Sequence, residues 1–82
     1  VNGVKLYQKK AKNTLAYLDN ILTFVRVYEH GNMSSAARDM RVSGAVVSAR
    51  ISQLEDHLGV RLFQRTTRAL NPTEQGKNFY PN

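Results

Sequence analysis

Residues 34–58 read SSAARDMRVSGAVVSARISQLEDHL, and the fold turns on how this stretch is divided. Ser34 is a good N-cap, since its hydroxyl can accept from an orphan backbone N–H, and Ala36, Ala37 and Met40 follow at helical spacing. The pattern predicts a short helix ending near Met40 and a turn at Arg41 and Val42. A second helix, capped by Ser43, then runs to Gly59. In it Val47, Ile51, Leu54 and Leu58 recur at intervals of 4, 3 and 4 as one apolar stripe. A short and a longer helix joined by two residues is the layout of a helix-turn-helix, whose second helix enters the DNA major groove.

At about 100° per residue, the face opposite the stripe carries Ala45, Ser48, Ala49 and Ser52, all small, with no acid before Asp56. Such a face can press closely against another surface. The helix start at Ser43 and Gly44 also offers free N–H groups and partial positive charge to a phosphate. Small residues equally let two helices approach, so a second packing face is the competing reading. It ranks lower because such a face more often carries larger apolar residues. Arg50 lies at the flank of the stripe, about 60° from its centre, which suits a phosphate or a neighbouring helix better than a base edge.

The chain as a whole narrows the choice. Its 82 residues make one domain with a modest core, and 41% apolar content argues for a folded chain. It has no cysteine, which removes disulfides and thiolate metal sites. No apolar run approaches the roughly 18 residues of a membrane span and no signal peptide is visible, so a soluble cytoplasmic protein is expected. Twelve Lys and Arg against six acids give a net charge of +6, which makes nucleic acid the leading partner. Four of those charges (Lys5, Lys9, Lys10, Lys12) fall in residues 1–18, which hold no acid.

Around the central pair the remaining elements fall into order. Residues 1–14 lack a clean period and read as a mobile basic arm that thickens into helix around 15–18; an extended first helix and foreign sequence are the alternatives. From Asp19 the periodicity is clear. Ile21, Leu22, Phe24, Val25, Val27 and Tyr28 form an apolar face with Thr23, Arg26 and Glu29 outside it, His30 suits the last turn, and Gly31 supplies an αL cap. Met33 is expected to pack inward. Gly59 and Val60 form another αL cap with an apolar residue after it. Residues 61–65 then read as a strand, 66–68 as a tip and 69–71 as a return strand, a hairpin or wing carrying Arg61, Arg65 and Arg68. Three arginines without an acid favour phosphate or minor-groove contact over an incidentally charged hairpin. Pro72 is expected to break the strand and Thr73 to cap a last helix. The fold class is thus mainly α with a small β-hairpin, a winged helix-turn-helix. Its parts are an arm over 1–14, the winged domain over 15–72 and a short helical start over 73–82.

Residues 18–76 also resemble the N-terminal DNA-binding domain of LysR-type transcriptional regulators. The likeness is carried by Phe24 and Val27, by Ser34-Ser35-Ala36-Ala37 through Met40, by Val42-Ser43 and Val46-Val47-Ser48, and by Ile51 and Leu54-Glu55. Leu58-Gly59-Val60, Leu62-Phe63, Arg65-Thr66-Thr67-Arg68 and Thr73-Glu74-Gln75-Gly76 complete it. The resemblance implies a bacterial transcription factor binding double-stranded promoter DNA as a dimer of dimers. It also implies a linker helix and a separate effector-binding domain, the site of any small-molecule effector. Carried over by residue, it implies that Ser34 and Ser35 bind backbone phosphates. Gly44, Ala45, Ser48 and Ala49 would face the major groove, and Arg65, Thr66, Thr67 and Arg68 would make the wing contacts. Three positions depart from the family pattern. Gly44-Ala45 stands where Gln-Pro is frequent, Ala49 where a basic residue is common, and Pro72 where Leu is usual; the first two remove side chains that hydrogen-bond base edges.

Two other classes compete with this reading. An enzyme is disfavoured, because His30 and His57 sit in different helices and no phosphate loop, paired carboxylate or activated nucleophile is present. A winged helix used for protein contact remains the alternative, since the fold does not imply DNA binding. No cofactor and no metal are expected. Residues 73–82 make fewer than three helical turns, too little to hold a dimer, so the chain by itself is expected to be a monomer on a single half-site.

Overall fold

Three side-chain caps decide where the helices begin. Asn32 Oδ1 accepts from Ser35 N at 2.7 Å, Ser43 Oγ from Val46 N at 3.2 Å, and Thr73 Oγ1 from Gly76 N at 3.0 Å. A computed structural model of the chain describes residues 2–65 and 70–80, and the side chains of 15–64 and 70–80. Its elements are α1 (Asn2–His30), α2 (Met33–Met40), α3 (Gly44–Leu58), β1 (Phe63–Arg65), β2 (Leu70–Pro72) and α4 (Glu74–Phe79). This is a winged helix-turn-helix.

The cap of α2 differs from the expectation. Asn32, one residue beyond the αL Gly31 (φ 78°), takes the role assigned to Ser34, which lies instead in the first turn. Asn and Ser cap equally well, and the residue adjoining the αL turn is the one with extended backbone. The other end of α2 closes on Arg41 in the αL region (φ 59°), and Val42 N donates to Ala37 O at 3.0 Å. Ser43 and Gly59 bound α3 as the sequence predicts.

The first helix is longer than expected: one continuous helix from Asn2 replaces the mobile arm. Residues 4–12 are mostly good helix formers without proline. Once the docked turns near Phe24 are formed, the helix extends backward at the cost of propagation only. The resulting rod, about 43 Å long at 1.5 Å per residue, accounts for a molecule of 51 × 27 × 24 Å.

Phe24 and Val27 from α1, Ala36 and Ala37 from α2, Val47, Ile51 and Leu54 from α3, and Leu62 and Phe63 from the base of the wing make the core. Three of the four stripe residues of α3 are fully buried and Leu58 is half-buried; Met33 packs against the same cluster. Two α1 residues change sides. Thr23, expected outside, is fully buried, and Leu22, expected inside, is half exposed. Thr23 tolerates burial because its hydroxyl donates to Asp19 O at 2.7 Å, the local bond a helical threonine can always make.

The wing is a two-stranded antiparallel hairpin pairing Phe63 with Pro72, Gln64 with Asn71 and Arg65 with Leu70. Pro72 is the last residue of β2 and not the first beyond it, and one further backbone bond runs from Thr73 N to Leu62 O at 3.0 Å. Beyond it, Thr73 Oγ1 donates to Arg61 O at 2.6 Å, Phe79 meets the Phe24 ring edge-on at 5.3 Å, and Tyr80 stacks on Tyr28 at 4.1 Å. The Tyr80 hydroxyl donates to Glu29 Oε2 at 2.7 Å, a bond that raises its pKa above the ordinary 10.0. α4 is therefore tied to α1 as well as to the wing.

Candidate nucleic-acid interface

Burying Val47, Ile51 and Leu54 turns the opposite side of α3 outward. Gly44, Ala45 and Ala49 are exposed there, with Ser48 and Ser52 half-buried beside them. Ser43 is exposed but its hydroxyl is engaged on Val46 N, so what it leaves for a ligand is a pre-ordered first turn with unpaired N–H groups. The first turn of α2 places exposed Ser34 and half-buried Ser35 at a second helix start.

Asp39 and Glu55 are directed away from that face, and exposed Asp56 stands at its C-terminal end. Asp39 Oδ2 lies 3.1 Å from His30 Nε2 and 3.7 Å from Arg26 Nη1 on the α1 side. Glu55 is buried beneath the wing, where Oε2 accepts from Leu62 N at 2.8 Å and Phe63 N at 3.4 Å. Its Oε1 also sits 3.8 Å from the guanidinium of Arg61, which is 73% exposed. Glu55 thus fixes the base of the wing to the end of α3. Replacing it by alanine orphans two buried backbone donors and should cost about 2 kcal/mol. Urea unfolding should register that loss, and amide exchange should quicken first at Leu62 and Phe63.

Of the predicted site residues, Arg50 is placed furthest from the role of a base reader. It is half-buried against α1, with Nη1 donating to Thr23 Oγ1 at 3.5 Å. The side chain of Arg65, with Thr66, Thr67 and Arg68, lies outside the described residues. Two cations went unnoticed in the sequence: Arg38 and Arg41 are both exposed on the helix-turn-helix. The signal for Arg41 was available, since a turn of two residues leaves its side chain no core to enter. Among the described residues no group of His, Cys, Asp and Glu is arranged for a metal, and no helix is long and apolar enough to cross a membrane.

A three-helix core with a wing, its third helix turned outward by a small-residue face, makes this a winged helix-turn-helix domain. The profile of the bacterial regulatory helix-turn-helix proteins, lysR family, matches residues 18–77, and the chain belongs to that family. An HTH-type transcriptional repressor of Pseudomonas aeruginosa is 46% identical over 63 residues, covering 77% of this chain and 20% of the repressor. The BenM DNA-binding domain, solved with catB site 1 DNA, matches at a TM-score of 0.74 with 32% identity, over 77% of this chain and 70% of that one. The CbnR DNA-binding domain, also solved with DNA, matches at 0.72 with 34% identity, over 74% and 70%. The chain spans about a fifth of the length of the curated relatives it matches.

Proposed function

We propose that this chain is the operator-binding part of a bacterial transcriptional regulator acting in the cytoplasm, with α3 in the major groove of promoter DNA. The observation that carries the reading is the outer face of α3: small, acid-free as far as Asp56, and adjoining two helix starts. The net charge of +6 supports it, as do the two related domains solved with DNA. In this arrangement the first turns of α2 and α3, with Ser34, Ser35 and Ser43, hold phosphates. Gly44, Ala45, Ser48, Ala49 and Ser52 meet base edges, and the wing, with Arg65, Thr66, Thr67 and Arg68, meets the backbone or minor groove. Residues 73–82 serve as the start of a linker helix.

Alanine at 45 and 49 can touch thymine methyl groups but forms no bidentate bond, whereas Ser48 can donate to or accept from a base. Direct readout is therefore sparse and phosphate contacts dominate affinity. Arg65→Ala or Arg68→Ala should weaken binding and lower the slope of log K against log salt by roughly one per lost contact. In selection from randomised sites, Ser48→Ala should relax sequence preference more than Arg50→Ala, whose guanidinium is held on Thr23. Fluorescence anisotropy with a labelled duplex, titrated at several salt concentrations, tests the whole reading. Absence of duplex binding even at low salt would move the assignment to a protein-interaction module.

A further inference from the structure

The cationic side chains described from Leu15 onward divide into those with a partner and those without. Arg26 Nη1 lies 3.7 Å from Asp39, Arg61 Nη1 3.8 Å from Glu55, and Lys77 Nζ 3.8 Å from Glu74. Arg50 Nη1 donates to Thr23 Oγ1. Arg38 and Arg41 are exposed, and among the described residues neither guanidinium has a hydrogen-bond or ion-pair partner. The acid beside them in sequence, Asp39, is already engaged by Arg26 and His30. The backbone of Arg41 is unusual as well. Three helices here close on a residue in the αL region, and Gly31 and Gly59 supply the other two. An arginine at φ 59° crowds its Cβ against the backbone, a strain that glycine is free of. An arginine held in a conformation that the neighbouring turns assign to glycine points to a use for its side chain.

We propose that Arg41 binds a phosphate of the duplex and so positions the first turn of α3, with Arg38 on a neighbouring phosphate. This role rests on α3 lying in the major groove. From Gly44 to Leu58 that helix has one Arg or Lys, Arg50, and its guanidinium is turned to α1. The helix that reads the bases thus brings no free cation to a duplex carrying a charge about every 1.7 Å. The uncommitted cations adjoining it are those at the corner where α2 leads into α3. Arg41 precedes the Ser43 cap by two residues, and Arg38 lies one turn beyond exposed Ser34 on the same edge of α2. An unpaired guanidinium presents a fork of N–H donors that matches phosphate oxygens. The corner itself is well fixed: Val42 N donates to Ala37 O at 3.0 Å, and Ser43 Oγ holds Val46 N. A phosphate held at such a point sets the register of α3 without reading sequence.

The test uses a labelled duplex that the wild-type chain recovers from randomised sites, with anisotropy followed over a range of salt concentrations. Arg41→Gly should weaken binding about 10-fold and lower the slope of log K against log salt by about 0.9. The loss should be uniform across sequences, and Tm should hold or rise, because glycine suits the αL turn better than arginine does. Arg41→Asn, which also tolerates this backbone, should bind as Arg41→Gly does, and Arg41→Lys should retain the slope. Adding Arg38→Ala to Arg41→Gly should roughly double the fall in slope. Lys77→Ala removes the same charge from α4 and should leave the slope nearly unchanged, which separates a contact from net charge. A wild-type slope in both Arg41→Gly and Arg41→Asn, or an equal fall in Lys77→Ala, overturns the contact. Relaxed sequence preference at an unchanged slope would make Arg41 a base reader and overturns the phosphate assignment. If the wild-type chain recovers no duplex, the major-groove reading itself fails and this role falls with it.

Discussion

Phe24→Ala should lower the free energy of unfolding by about 3–5 kcal/mol, a large share of what a domain of this size possesses. The ring is fully buried, and it meets aromatic rings from its own helix, the wing and α4. Its centroid lies 5.4 Å from Phe63 at the wing, 5.3 Å from Phe79 at the end of α4 and 5.9 Å from Tyr28. Truncation leaves a cavity bounded by three separate elements, and collapse around it would have to move all three. The loss includes ring–ring attraction as well as buried area. Urea denaturation followed by far-UV circular dichroism should give a much lower midpoint. Phe24→Leu, which keeps most of the volume, should recover more than half of the difference.

Gly76→Ala should be nearly as damaging, for a different reason. A Cβ at this position would run into the carbonyl oxygen of Leu62 and sit 3.1 Å from its carbonyl carbon. The obstacle is backbone, held by Thr73 N on the same oxygen, so it cannot swing aside as a flexible side chain would. Overpacking of this kind costs about 3 kcal/mol, and in a domain of about 80 residues that lowers Tm by more than about 10 °C. The alternative outlet is undocking of α4, which would break the Tyr28–Tyr80 stack and the bond to Glu29 and return the Tyr80 pKa toward its ordinary value. Either outcome is visible in a melting curve with a tyrosine titration beside it. Gly44→Ala is the control, since open space surrounds that position and its stability should hold.

Several features were written locally and so could be read before any folding. The apolar stripe of α3, the Ser43 and Thr73 caps, and the αL glycines at 31 and 59 each depend on neighbours within four or five residues. Helical period and cap chemistry sufficed for them, and with the arginine-bearing hairpin they specified a winged helix-turn-helix. The outward face of α3 followed from the stripe, because a helix with one side buried has its other side assigned.

What tertiary structure decided are the matters that involve distant partners. Glu55 looks like an ordinary surface acid of a helix; only the return of the chain at Leu62 and Phe63, seven and eight residues later, makes it the buried acceptor that anchors the wing. Arg50 sat at an ambiguous angle until Thr23, distant in sequence, gave it a partner on α1. Gly76 carried no local signal, since its requirement comes from the backbone of another element. Thr23 and Leu22 lie side by side on a helix whose apolar face is broad, so composition could not say which of them the core would accept. The packing of α3 across α1 settled it by burying the threonine and leaving the leucine, with Leu15 and Leu18, facing water.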